Sequence, residues 1–435
     1  MRLLFFLLLL APLALLAQPK DNSPYSRFGL GDPLPQFYGN QTGMGGLSAG
    51  FADPFHINPV NPASYAALKS TAFEIGASLE LSSLESGDQR ETVFNGDLNY
   101  LTIGFPIRNP NNEIFDGRKK EVEWGMILGL ARNTRVGYDV QTRLFTDGPD
   151  SLRASFQGEG GTYRFTWGNA VRYKNFSAGL NIGTLFGRLQ YERRLNFVDD
   201  VYTFANRFEQ DQNLTGFLWN AGFQYKIPLK YNERDQLTQH LTVGVYGNAT
   251  QSFRTNSTQV FEGINFGYGG LVDTSDMQQE LRGTGQLPAQ FGIGFMYENI
   301  NRLRLGLDFQ HTGWSGYENE TRPETLQNGF RLSVGGEITP QSNRLKTAVQ
   351  QIRYRFGAYF ERDPRTASGT QLTDYGISFG TGIPVIGPRQ ALSHVNLALE
   401  AGRFGTEDAI RENYLRLTIG LTLNDQSWFL NRKFN

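Results

Sequence analysis

The chain of 435 residues contains no cysteine, which removes disulfides, zinc–thiolate sites, cysteine nucleophiles and a lipid-bearing cysteine at a mature N-terminus. Neither sign of charge is in excess: 41 Lys+Arg face 42 Asp+Glu, for a net charge of −1, so the basic footprint of a nucleic-acid-binding protein is missing. Charged residues amount to 19%, below the roughly 25% of a soluble domain. Beyond residue 17 there is no long apolar run, and mean hydropathy is −0.40. A membrane helix needs about 20 apolar residues, so a bundle of such helices is excluded. The four histidines, His56, His240, His311 and His394, fall in no metal-binding spacing, and no motif asks for a metal or cofactor. No linker-like stretch divides the chain, and one large domain is expected.

What is abundant is glycine, with 50 residues, and aromatics at 13%, including 33 Phe and 19 Tyr. The amino terminus opens with Met1 and Arg2, runs through the apolar stretch Leu3–Ala17 and turns polar at Gln18, Pro19 and Lys20. That order matches a secretory signal peptide, residues 1–17, cleaved after Ala17. Past residue 69 the dominant pattern has period two. In Leu303-Arg-Leu-Gly-Leu-Asp-Phe309 the apolar side chains share one face, and Tyr414-Leu-Arg-Leu-Thr-Ile-Gly-Leu-Thr-Leu423 repeats the scheme. Successive strand side chains point to opposite faces, so each segment is a two-faced strand.

The polar face is Gly, Ser, Thr, Asn, Gln, Arg and Asp with few Lys, and the apolar face ends repeatedly in aromatics such as Trp124, Trp167, Tyr173, Trp219, Tyr225 and Tyr297. A soluble sandwich would carry Lys and Glu there. A transmembrane barrel has this composition, with lipid outside, a polar lumen and aromatic girdles, and closure leaves no backbone group unpaired in hydrocarbon. The expected fold is all-β: an antiparallel barrel of fourteen strands over residues 70–435, preceded by an N-terminal hatch or plug at 18–69, in the outer membrane in contact with lipid and lipopolysaccharide. Long outer loops are expected near Leu195–Gln212, Arg254–Gln286 and Gly316–Gln327. Glu121–Phe145 reads as one long third strand, broken near Ala131, Arg132, Asn133, Thr134 and Arg135 by a bulge or kink that re-aims it.

Gly46-Leu-Ser-Ala-Gly50 fits the spelling of a nucleophile elbow, but that motif needs a strand before it and a helix after it, and Asp53-Pro54 follows closely. No enzyme is expected. The lumen face is more informative: Arg164, Arg172, Arg304, Arg331, Arg353 and Arg355 alternate inward with Asp308, Glu337, Glu361 and Glu400. They form either an ion-pair network propping the wall or a seat for a ligand carboxylate, which the planar guanidinium accepts bidentately. Leu185, Leu218 and Met296 would line an apolar pocket beside that seat.

The Gly-rich lead from Gly43 to Asn61-Pro62-Ala63, just ahead of a fourteen-strand barrel, resembles the FadL-type outer-membrane transporters of long-chain fatty acids and other hydrophobic compounds. Ser23-Pro-Tyr-Ser-Arg-Phe-Gly-Leu-Gly31 and the tail from Trp428 to Asn435 resemble versions found in Bacteroidota. The resemblance implies that Asn61, Pro62 and Ala63 belong to a lumen-plugging hatch. It further implies that the break at Ala131–Arg135 opens the wall for sideways exit of a hydrophobic or amphipathic ligand, taken up passively. Some FadL-like relatives serve as barrel subunits of secretion or assembly machines, so the alternative is a non-transporting subunit with an outer-membrane complex partner.

Overall fold

A computed structural model describes residues 23–108, 112, 121–145, 151–197, 205–265, 271–340, 351–386 and 392–428. The signal-peptide reading, residues 1–17, lies outside the described residues. Fourteen antiparallel strands close into a barrel: β1 Thr71–Ser86, β2 Gln89–Pro106, β3 Val122–Phe145, β4 Ser151–Tyr173, β5 Phe176–Phe197 and β6 Ala205–Tyr231, then β7 and β8, each in two collinear halves. These halves are Leu237–Asn248 with Gln251–Asn265, and Leu271–Leu287 with Gln290–Asn299. The series ends with β9 Leu303–Thr312, β10 Gly329–Ile338, β11 Arg353–Ala367, β12 Thr370–Ile386, β13 Leu392–Gly405 and β14 Arg411–Asp425. The breaks in β7 and β8 face each other, since Asn248 pairs with Gln290 and Gln251 with Leu287, so each strand pair continues as one ladder. Ring closure is made by β14 on β1, from Arg411↔Glu85 to Asp425↔Thr71.

The period-two reading holds through the lipid-facing belt, where Trp167, Phe217, Phe295, Leu307, Ile377, Leu399 and Leu421 are exposed and the alternate residues Thr242, Asp308, Ser378, Asn396 and Glu400 are buried. The expected outer loops are corrected in two places. Residues 205–212 belong to β6, and almost all of Arg254–Gln286 that is described is β7 and β8 strand. There the wall rises above the belt on one side, β6 reaching 27 residues while β10 has 10. At about 3.3 Å per residue, that overshoot is several tens of ångströms along the strands. Water meets its outer face and a satellite core its inner face. That core comprises Leu189, Tyr191, Leu214 and Phe253, with Tyr317 and Leu326 from the β9–β10 connection and Leu30 from the N-terminal segment. We take this tall end as the outer one.

Candidate functional site

Residues 23–70 run through the lumen. Ser23 lies at the outer end, where its Oγ donates to Glu412, and the chain descends to Lys69 at the inner end, where its N–H donates to the Pro54 carbonyl at 3.0 Å. In the lower half the wall is shaped to receive it. Asn61 caps a short 3-10 turn by accepting from the Ala63 N–H at 3.1 Å, with Pro62 at the first turn position, where a missing N–H costs nothing. The Asn61 Nδ2 donates to the Ala49 carbonyl at 2.7 Å. A Cβ at Gly179 would strike the Pro62 backbone, and one at Gly222 the Asn61 side chain, so glycine in β5 and β6 is what lets the turn lie against the wall.

Charge fixes the same region. Asp53 receives Arg304 at 2.7 Å and Arg353 at 3.1 Å, Glu337 receives Arg355 at 2.7 Å, and Arg304 also reaches Glu298 at 3.0 Å. Burial alone would push the Asp53 carboxyl up, but Arg353, Arg304 and His56 outweigh it and hold it well below the usual carboxylate range. Asp308 takes the backbone N–H of Ala49 at 2.8 Å and that of Ser48 beside it, which ties the Gly46–Gly50 stretch to the wall.

Of the six sequence-picked lumen arginines, five are committed to carboxylates. Besides Arg304, Arg353 and Arg355, Arg331 pairs with Glu361 at 2.7 Å while its guanidinium lies 3.8 Å from the Tyr359 ring centroid, and Arg172 pairs with Glu123. Arg164 differs: its Nε is buried without a hydrogen-bond partner, and among the described residues no carboxylate lies within ion-pair reach. The apolar pocket expected from Leu185, Leu218 and Met296 does not form. Leu185 and Leu218 join the outer satellite core, and Met296 packs with Met44, Leu47 and Phe51 in the lower half. Sequence reasoning also missed His56 and His394, whose rings lie 4.7 Å apart, because 338 residues separate them and no local spacing marks the pair.

The third-strand break is a bulge in β3. Arg132 pairs with Tyr163 and Thr134 with Thr162, so Asn133 is the extra residue. Below it β2 and β3 pair from Pro106↔Gly125 up to Tyr100↔Ala131, and there the ladder stops. The upper part of β2 and the upper part of β3 face each other across a seam with no backbone pairing. Asp97 on β2 reaches Arg132 and Arg135 on β3. A cavity of about 1010 Å³ occupies the seam, lined toward lipid by Leu79, Phe94, Leu98 and Tyr163, with Arg132 over the Tyr163 ring, and inward by Asn95, Asp97, Arg135, Tyr138 and Tyr191.

A closed antiparallel fourteen-strand barrel is the fold of the FadL-type barrels among solved structures. The solved structure of the CymD monoaromatic hydrocarbon channel is 13% identical, covers 92% of this chain and 99% of its own, and superposes with a TM-score of 0.53. For the P. putida toluene transporter TodX the values are 13%, 90%, 99% and 0.55, and for a Pseudomonas aeruginosa FadL homologue 13%, 90%, 98% and 0.54. Identity at this level speaks for the fold alone. No curated protein matches. The BamG family model matches residues 1–435, and the chain belongs to the BamG family.

Proposed function

We propose that this protein is a closed barrel subunit of an outer-membrane secretion or assembly complex, exported with its N-terminal segment as an internal plug. The observation that carries this reading is the lumen. From Ser23 to Lys69 the chain runs through it, and five of the six inward arginines chosen as ligand seats are held by fixed carboxylates. The cavity of about 1010 Å³ sits in the wall, and its inner lining carries Asp97 and Arg135 rather than forming an apolar conduit. Purified from native outer membranes in mild detergent, the protein is expected to migrate with partner chains. In liposomes containing a fluorescent fatty-acid sensor it is expected to add no flux. A solitary barrel that conducts oleate would reverse the assignment.

The seam supports a second reading, passive uptake of a hydrophobic or amphipathic compound with lateral exit near Ala131–Arg135. Leu98 and Phe94 give its lipid side an apolar lip, and Arg164, unpaired a short way below, is the remaining seat for a ligand carboxylate. A bulky side chain at Asn133 or Thr134 would then abolish uptake while leaving assembly intact.

A further inference from the structure

At the inner end of the lumen, away from the seam, strand register gathers a set of polar side chains. Ser177 pairs with both Arg172 and Gln224, Lys226 with Thr242, Pro228 with His240, and Glu298 with both His240 and Arg304. The inward faces of β4 to β9 thereby meet around one small space, roofed by the N-terminal segment at Phe51, Ala63 and Ala67. The cavity measures about 20 Å³, room for one water or one small ion.

Most of the donors around it are already engaged. Arg172 pairs with Glu123, and Arg304 is shared among Asp53, Glu298 and Glu337. Gln224 donates to the Ala49 and Phe51 carbonyls at 2.9 and 3.2 Å. Lys226 is different. Its backbone N–H is fixed on the Asn175 carbonyl at 2.9 Å, but among the described residues its ammonium has no hydrogen bond and no carboxylate in ion-pair reach. Diagonally across the β6–β7 ladder stands His240, 4% exposed, whose Nδ1 is buried without a hydrogen-bond partner. Buried polar atoms are normally hydrogen-bonded, so two groups on one cavity wall lack what their neighbours have.

Charge sets the sign of a ligand that would satisfy both. Three full cations line the cavity, Arg172, Lys226 and Arg304, against one carboxylate, Glu298. A buried charge is unfavourable unless it is paired, and a counterion pairs Lys226. The ring of His240 adds a condition. Its Nε2 lies 3.4 Å from Glu298 Oε2, an acceptor, so the hydrogen of the neutral ring belongs on Nε2. Nδ1 then donates to an anion only when the ring carries a second proton, and anion and proton are taken up together.

We propose that Lys226 and His240 form a binding site for a small monovalent anion of the size of chloride, held between the barrel wall and the N-terminal segment. Neither reading of the function depends on it. The probe is chloride, added to the purified full-length protein in detergent. Its NMR line should broaden beyond a detergent blank, and bromide should compete while sulfate, too large for the cavity, should not. Lys226→Met should remove at least nine-tenths of the excess, whereas Lys174→Met in the exposed β4–β5 turn should keep it. His240→Gln, the second variant should Lys226→Met disturb assembly, is expected to weaken chloride at least tenfold.

Acidification tests the proton. With Lys226, Arg172, Arg304 and Glu298 all facing the ring, chloride should bind at least threefold more tightly at pH 5 than at pH 7, and His240→Gln should remove that difference. No excess broadening in the parent, or equal broadening in a Lys226→Met barrel that keeps its heat-modifiable mobility on gels, would mean that the cavity holds water only and would overturn the site. Binding that is flat with pH in the parent would overturn His240 as a donor to the anion.

Discussion

Two junctions of the same barrel are built in opposite ways. Where β14 meets β1 the ladder runs unbroken for fifteen rungs, and where β2 meets β3 it runs for seven and stops. The first junction needs nothing besides backbone. At the second, hydrogen bonds that strands would supply are replaced by Asp97 gripping Arg132 and Arg135 and by Asp32 and Pro33 of the N-terminal segment, added along the exposed edge. Backbone pairing is repeated at every rung, whereas each side-chain contact at the seam can be removed by a single substitution, so the two junctions can be tested separately. The lower lumen, packed on glycine and cross-tied through Asp53, behaves like the first junction and makes no provision for movement.

That contrast is most strongly broken from the rigid side. Asp53→Ala strips Arg304 and Arg353 of a shared partner, and uncovering buried charge costs about 3–5 kcal/mol, to be measured as the urea midpoint of the detergent-solubilised protein. Acid should act on the same group. Its carboxyl titrates below the unfolded value of about 3.9, so its stabilisation is fully present above about pH 4 and is lost as pH falls further. The midpoint is expected to hold from pH 8 to 5 and drop below about pH 4, with the acid slope reduced in Asp53→Asn.

At the seam, Asp97→Asn weakens two charged contacts and is expected to cost about 1.5–3 kcal/mol. It should also make a Val136→Cys reporter more reactive toward maleimide, which Asp53→Ala should not. Equal reactivity in the two variants would mean that the halves of the lumen are coupled. Gly179→Ala, which drives a methyl into Pro62, is expected to cost about 1–3 kcal/mol and to loosen the plug without touching the seam.

Much of the wall was legible because lipid on one side forces alternation. Leu303–Phe309 cannot be read otherwise, and Arg132-Asn133-Thr134 breaks the apolar alternation at the residue that bulges. The overshooting strands were not legible, since Gln251-Ser-Phe-Arg-Thr-Asn-Ser-Thr258 stands in water on one face and carries mostly small polar residues on the other. Nor was the fate of the arginines. Whether Arg304 is free depends on Asp53, 251 residues away, and on strand register that no local pattern encodes. Asn61-Pro62-Ala63 was marked by resemblance, but the glycines that receive it were anonymous among fifty.

The smallest expected effect on stability falls at Arg164, and it separates the two functional readings. The Arg164 guanidinium, with no carboxylate in ion-pair reach among the described residues, gains little from its surroundings, so Arg164→Leu, shorter and apolar, should shift the unfolding midpoint by less than about 1 kcal/mol in either direction. Arg304→Leu, which takes one cation from each of three carboxylates, should be severe by comparison. If the barrel is a structural subunit, Arg164→Leu leaves complex formation intact and creates no binding defect, because there is no ligand to lose. If an amphipathic acid is carried to the seam, the same change removes its only uncommitted cation among the six and should weaken oleate binding at least tenfold. A variant as stable as the parent yet tenfold weaker for oleate would favour transport, and the packed lower lumen would then be the floor of a chamber rather than the closure of a scaffold.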